Sequence, residues 1–145
     1  MNAIVIGASS GMGYGLVKKL IALGYTVAAT ARQIGPLISL KEKIGNSLTV
    51  KQMDITRHQP TIKCMNEIVE ELGVVDLIII TAGMHSWNSE LDYEIDLKVI
   101  DVNVSGFTLI ANYSTNYFIK QKKGHLVVLS SISALRGSNK APSYP

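Results

Sequence analysis

The sequence predicts an α/β protein, a doubly wound parallel sheet layered between helices in a three-layer αβα arrangement. Three observations carry that expectation. Apolar runs of strand length alternate with stretches of helical period along the whole 145 residues. The strand-like runs are apolar at consecutive positions, the pattern of strands buried on both faces. Glycines stand at the joins between the two kinds of segment, where the chain must turn sharply.

Ala3–Ile6 is a short apolar run that breaks at a glycine and reads as the first strand. From Gly11 to Leu23, Met12, Leu16 and Leu20, with Val17 and Ile21, recur at helical spacing, and Gly24 is a natural stop. Thr26–Thr30 is the second strand. Pro36 suits a first helical position, and Leu37, Ile38, Leu40 and Ile44 carry a short helix up to Gly45-Asn46. Ser47–Met53 is the third strand. Pro60 is expected to open a helix whose stripe is Ile62, Met65, Ile68, Val69 and Leu72, closed by Gly73. Val74–Ile80 is the most strand-like run of all. Two helices are expected at about Glu90–Asn103 and Ser105–Lys122, the second burying Phe107, Ile110, Ala111, Ser114 and Phe118. Gly124 ends it, and His125–Ser130 reads as the last strand. The order β-α-β-α-β-α-β-α-α-β implies parallel neighbours joined by right-handed crossovers in one domain, residues 1–145.

Composition narrows the function classes. With 47% hydrophobic and 17% charged residues the chain has the material for a core, unlike a disordered segment. The longest apolar run, Val74–Ile80, is interrupted by Asp76 and falls far short of the ~18–20 residues of a membrane span. The net charge of +3 comes from scattered lysines without a basic run, so neither nucleic acid nor membrane is expected as a partner. Cys64 stands alone, which excludes an internal disulfide and a zinc cluster, and no metal site is expected. The N-terminal residues lack the basic segment and cleavage site of a secretory leader, and the expected location is the cytoplasm.

The chemistry-bearing feature is Gly7-Ala8-Ser9-Ser10-Gly11-Met12-Gly13, between the first strand and the first helix. A phosphate can sit on a helix N-terminus only if the backbone turns tightly and no Cβ blocks its approach. Free N–H groups and the helix dipole then supply the attraction. The spacing is G-x-x-x-G-x-G, through Gly7, Gly11 and Gly13, in place of the G-x-G-x-x-G fingerprint. In a strand–loop–helix context it points to a dinucleotide rather than to a plain glycine-rich turn.

At this loop the sequence begins to resemble the short-chain dehydrogenase/reductase family, whose phosphate loop has that spacing. The resemblance continues in order. Asp54, in Met53-Asp54-Ile55-Thr56, matches the aspartate that contacts the adenine ring. Thr81-Ala82-Gly83 matches the family's Asn-Ala-Gly, with threonine in place of asparagine. Asn103 matches the asparagine of the catalytic tetrad and Ser131 its serine. Tyr144 follows the serine by thirteen positions, the family's spacing. The resemblance implies a Rossmann-like nucleotide-binding domain with Gly7, Ser9, Ser10, Gly11, Met12, Gly13, Arg32, Asp54, Ile55, Thr81, Ala82 and Gly83 around the cofactor.

At the end of the second strand a carboxylate would bind the ribose hydroxyl of NAD, whereas an arginine accommodates a 2′-phosphate. Here alanine occupies the expected acidic position and Arg32 follows at once, so NADP(H) is favoured over NAD(H). The resemblance further implies a small-molecule carbonyl or alcohol as substrate. Tyr144 would be the acid/base, Ser131 would position the substrate oxygen and Asn103 would support a proton relay. The family lowers its tyrosine's pKa, ordinarily near ~10, with a lysine four residues later. The sequence ends at Pro145, three residues short of that lysine, and Lys140 lies on the wrong side of Tyr144 to replace it.

The expectation is therefore a member of the family truncated on its C-terminal side, without the last helices and strands of the domain. Its last strand would then be a bare sheet edge carrying Leu126-Val127-Val128-Leu129, which favours self-association into a homo-oligomer or aggregate. Two other readings stand beside the oxidoreductase. A non-catalytic nucleotide-binding module draws on the missing lysine and on Thr81. A methyltransferase also places a glycine loop after its first strand, but the spacing of Ser131 and Tyr144 argues against it.

Overall fold

Five parallel strands form the sheet, in the order β3-β2-β1-β4-β5. The computed structural model describes residues 1–144. β1 (Asn2–Ile6) lies at the centre, paired with β2 (Thr26–Ala31) on one side and β4 (Leu77–Ile80) on the other. β3 (Leu48–Gln52) and β5 (His125–Val128) are the outer strands. Central strands have helices above and below, so their side chains are buried in both directions, as the continuous apolar runs anticipate. Ala3, Val5, Val27, Ala29 and Ile79 enter one core with Val17 and Leu20 of α1 (Gly11–Ala22) and Leu37 and Leu40 of α2 (Gly35–Ile44). Ile4, Ile6, Ala28, Ile78 and Ile80 alternate into the other. That second core holds Met65 and Ile68 of α3 (His58–Leu72) and Ile110 of α5 (Phe107–Gln121).

Several boundaries differ from the sequence expectation for local reasons. Pro60 does not open α3; the helix begins two residues earlier, at His58, and its buried face includes Thr61 rather than Ile62. Thr61 is fully buried because its hydroxyl donates to Asp54 O at 2.8 Å, which satisfies the polar group. β4 is shorter than the run Val74–Ile80. Val75 N–H and C=O are taken by side chains of α5, Tyr117 Oη at 3.1 Å and Gln121 Nε2 at 2.8 Å, rather than by a strand ladder. Pro36 is the second residue of α2, one later than expected. β5 ends at Val128, short of Ser130, and Met12 is exposed rather than part of the buried stripe of α1.

The largest correction concerns the two helices expected around residues 90–122. The helix starts at Tyr93, and α4 (Tyr93–Ile100) runs without a break through a π-helical segment, Asp101–Gly106, into α5. Asp92 caps its start by accepting from Glu94 N–H at 2.8 Å. Val99, Val102, Gly106 and Ile110 stay buried at spacings of three and four through the π segment, so one face of the helix is covered along its length. Such segments often mark functional positions, and this one contains Asn103.

Candidate functional site

At the C-terminal ends of β1, β2, β3 and β4 the chain encloses a cleft of about 630 Å³. A cleft at the carboxyl ends of parallel strands is where open α/β sheets bind ligands. Its floor is the glycine loop. Gly7 and Ala8 donate their N–H groups to Thr30 O, both at 2.9 Å, which pins the loop to β2. The next N–H groups have no such acceptor. Ser10 is the N-cap of α1 with extended backbone and no side-chain cap bond, and the first turn carries no acidic residue. Tyr14 N–H is the first donor of the helix to close on the chain, at Ser10 O. The N–H groups of Gly11, Met12 and Gly13 are thus left for an anion, reinforced by the helix dipole.

The glycines divide the labour. Gly7 has φ +89° and lies so close to the chain following β4 that a Cβ there would stand 2.5 Å from Ala82 N. Gly13 abuts Thr81, where a Cβ would stand 2.5 Å from the hydroxyl oxygen. Gly11, at φ +53°, faces open space: a Cβ would meet nothing within 4 Å. Two glycines allow close packing, and the third keeps the approach to the helix N-terminus clear. Thr81 replaces the asparagine expected there and ties the two strands that frame the loop. Its hydroxyl lies 2.8 Å from Ile6 O and 3.0 Å from Gly7 O, a shared donor to both carbonyls.

Every residue expected around the cofactor lines this one cleft: Gly7, Ser9, Ser10, Gly11, Met12, Gly13, Arg32, Asp54, Ile55, Thr81, Ala82 and Gly83. Arg32 follows β2 directly, and its carbonyl is held by Gln52 Nε2 at 2.9 Å. Asp54 folds a tight turn, its Oδ1 accepting from Thr56 N–H at 3.1 Å and Thr56 Oγ1 at 2.8 Å. Sequence reasoning missed Gln33 and Thr30, which share the wall with Arg32. Neither belongs to a motif. Thr30 is fully buried and its hydroxyl has no hydrogen-bond partner among the described residues. A buried, unpaired hydroxyl in the wall of a cleft suits a polar ligand. Together with the open floor at Gly11, it means the residues present fit a dinucleotide.

The three expected catalytic residues are placed less uniformly. Asn103 grips the loop after β4: its Nδ2 donates to Met84 O and its Oδ1 accepts from Met84 N–H, both at 2.8 Å. Asn103 makes these bonds from inside the π segment of an unbroken helix. Ser131 follows β5 and accepts from Ser133 N–H at 3.1 Å, capping a short 3₁₀ turn, Ile132–Leu135. Tyr144 is anchored by its N–H to Ala141 O at 3.3 Å and sets its ring edge-on to His85, with centroids 4.7 Å apart. His85 in turn meets Trp87 at 4.9 Å, so three aromatic side chains gather beside the loop that Asn103 holds. Among the described residues no hydrogen bond joins Asn103, Ser131 and Tyr144 to one another.

A parallel sheet of this order, with a glycine loop at its centre, is a Rossmann-like α/β fold. The model of the short chain dehydrogenase family matches residues 1–145, and the chain belongs to that family. A probable NADP-dependent dehydrogenase of Haemophilus influenzae is 32% identical over 136 residues, 91% of this chain and 54% of that protein. Among solved structures, a short chain dehydrogenase from Bacillus anthracis superposes with a TM-score of 0.90 at 22% identity, covering 99% of this chain and 62% of that one. An actinorhodin polyketide ketoreductase variant with NADPH superposes at 0.89 and 25% identity, over 99% and 57%. The chain therefore spans little more than half the length of the relatives it matches. No helix among the described residues is long and apolar enough to cross a membrane.

Proposed function

We propose that the chain provides the cofactor-binding part and three site residues of an NADP(H)-dependent oxidoreductase that interconverts a small carbonyl compound and an alcohol. The observation that supports it most is the cleft itself, lined by a helix N-terminus with unpaired N–H groups and by Arg32, with Asp54 its only carboxylate among the described residues. The loop N–H groups would hold the pyrophosphate, Arg32 the 2′-phosphate, and Asp54 with Ile55 the adenine side. When bound, the nicotinamide supplies or accepts the hydride. Tyr144 would then give a proton to the substrate oxygen or take one from it, and the Ser131 hydroxyl would donate a hydrogen bond to the same oxygen. Asn103 would hold the Met84 main chain that flanks them. A cytoplasmic setting belongs to this proposal.

Arg32→Ala tests the cofactor assignment. A bidentate arginine–phosphate contact is removed, so Kd for NADPH should rise about 10- to 100-fold while Kd for NADH stays within about twofold. Equal losses for both nucleotides, read by fluorescence titration, would place Arg32 outside the 2′-phosphate site.

The non-catalytic alternative draws on Thr81, which stands where the family has asparagine and whose hydroxyl is engaged by Ile6 O and Gly7 O. Nucleotide binding without turnover in the protein made from its own reading frame would favour it.

A homo-oligomer is also part of the proposal. β5 has a single strand neighbour among the described residues, with Val128 44% exposed at the outer edge. A polypeptide of residues 1–145 should sediment faster than a 15.7 kDa monomer at high concentration. A sharp monomeric boundary would overturn the expectation.

A further inference from the structure

The segment that carries Tyr144 is seated by residues that lie away from the nucleotide cleft. Asn88 N–H donates to Lys140 O at 2.7 Å, Ala141 is 2% exposed beneath the same segment, and Ser143 Oγ donates to Asp96 Oδ1 at 2.7 Å. Asn88 makes the loop before α4 a firm ledge. It is itself buried, its Nδ2 donates to Asp92 O at 2.9 Å, and its Oδ1 accepts from Asp92 N–H at 2.8 Å. Asp96 stands in the first turn of α4, so its carboxylate is carried by a capped helix rather than by a free loop. None of Asn88, Asp96 and Ser143 lines the cleft.

We propose that Asp96 is a positioning residue for Tyr144, acting through the hydroxyl of Ser143 to fix the peptide immediately before the tyrosine. The inference rests on the reading of Tyr144 as the acid/base. An O–H donor on a carboxylate at 2.7 Å is a charge-assisted bond, stronger and more directional than a neutral one. The bond fixes the residue next to Tyr144 in sequence, while the main-chain bond from Tyr144 to Ala141 and the edge of His85 fix the residue itself. The phenol therefore has little freedom to swing, and a proton-transfer group loses rate steeply when it is misplaced. The Asp96 carboxyl is held below its ordinary value, first by the Asn88 side chain and then by the Ser143 hydroxyl, so it is ionised at neutral pH. Ser143 donates to Asp96 Oδ1 at 2.7 Å, and the Asn88 amide, which gives only one of its two hydrogens to Asp92 O, adds to the stabilisation of the carboxylate.

The experiment compares Asp96→Ala, Ser143→Ala, the double variant and Asp96→Asn in the protein made from its own reading frame. Turnover is read as NADPH oxidation with 4-nitrobenzaldehyde as the carbonyl probe, and the segment is read by hydrogen–deuterium exchange over residues 138–144. Each alanine variant should lower kcat about tenfold with Kd for NADPH unchanged, and the double variant should lose no more than either alone. Asp96→Asn keeps an oxygen acceptor and should retain kcat within about threefold. Exchange over residues 138–144 should quicken in the alanine variants and not in Asp96→Asn. Unchanged exchange in Asp96→Ala overturns the proposal whatever the turnover. Additive losses in the double variant also overturn it. An active wild type whose alanine variants keep full kcat removes the positioning role and leaves the proposed function standing. A wild type that binds NADPH without turnover, with the segment still loosened in Asp96→Ala, overturns the proposed function and reduces Asp96 to an anchor.

Discussion

Tyr144→Phe should lower turnover by about 10²- to 10⁴-fold while leaving NADPH affinity within about twofold, because it removes a proton-transfer group and little else. The contacts that hold Tyr144 do not use its hydroxyl. Its main-chain N–H is bonded to Ala141 O, and its ring meets His85 edge-on, a contact that phenylalanine repeats. Ala141 and the Ser143–Asp96 bond seat the segment independently of the phenol. The variant should therefore fold and bind cofactor, which separates a chemical loss from a structural one. The measurement is kcat beside a nucleotide titration on the same preparation. A variant within tenfold of wild-type turnover would move the acid/base role to another group, and His85, in contact with the ring, would be the first to test.

Most of the sheet was legible because strands buried on both faces leave a signature that does not depend on distant partners. Ile4, Val5 and Ile6, and likewise Ile78, Ile79 and Ile80, are buried at successive positions, as the apolar runs require. The glycine loop was legible because the spacing of Gly7, Gly11 and Gly13 between a strand and a helix stands in one short run, although the atoms that Gly7 and Gly13 make room for, Ala82 N and Thr81 Oγ1, come from about 70 positions away. Elsewhere the deciding contact lay far along the chain. Thr61 outranks Ile62 for the core because the carbonyl of Asp54 waits for its hydroxyl, and Ile62 is left partly exposed. Val74 and Val75 read as strand, yet α5 supplies the partners of Val75 from more than 40 residues away, through Tyr117 and Gln121. The helix that was read as two is one: Val99, Val102, Gly106, Ile110 and Ser114 stay buried at spacings of three and four straight through the π segment, so the buried face carries no break there. The seat of Tyr144 was the least legible. Asp96 and Ser143 are 47 positions apart and belong to no motif that spacing reveals.

Gly7→Ala and Gly11→Ala should separate the two tasks of the glycine loop, although both residues have positive φ. At Gly7 the added methyl meets main chain: Ala82 N at 2.5 Å and Ala82 Cα at 2.6 Å, with φ at +89°. Backbone at the end of a central strand cannot swing aside, and moving it would disturb Thr81, whose hydroxyl links the ends of β1 and β4. Strain and overpacking together should cost about 3 kcal/mol or more of stability, seen as a large drop in the urea midpoint. At Gly11 the same methyl meets nothing within 4 Å, and only the left-handed backbone at φ +53° is penalised. That costs about 1 kcal/mol. The methyl nevertheless enters the space in front of the unpaired N–H groups of α1, so NADPH affinity should fall about tenfold in a protein that remains folded. Equal destabilisation of the two variants would mean that the chain after β4 yields at Ala82. Unchanged NADPH affinity in Gly11→Ala would move the phosphate away from this helix N-terminus, and with it the central support for the cofactor assignment.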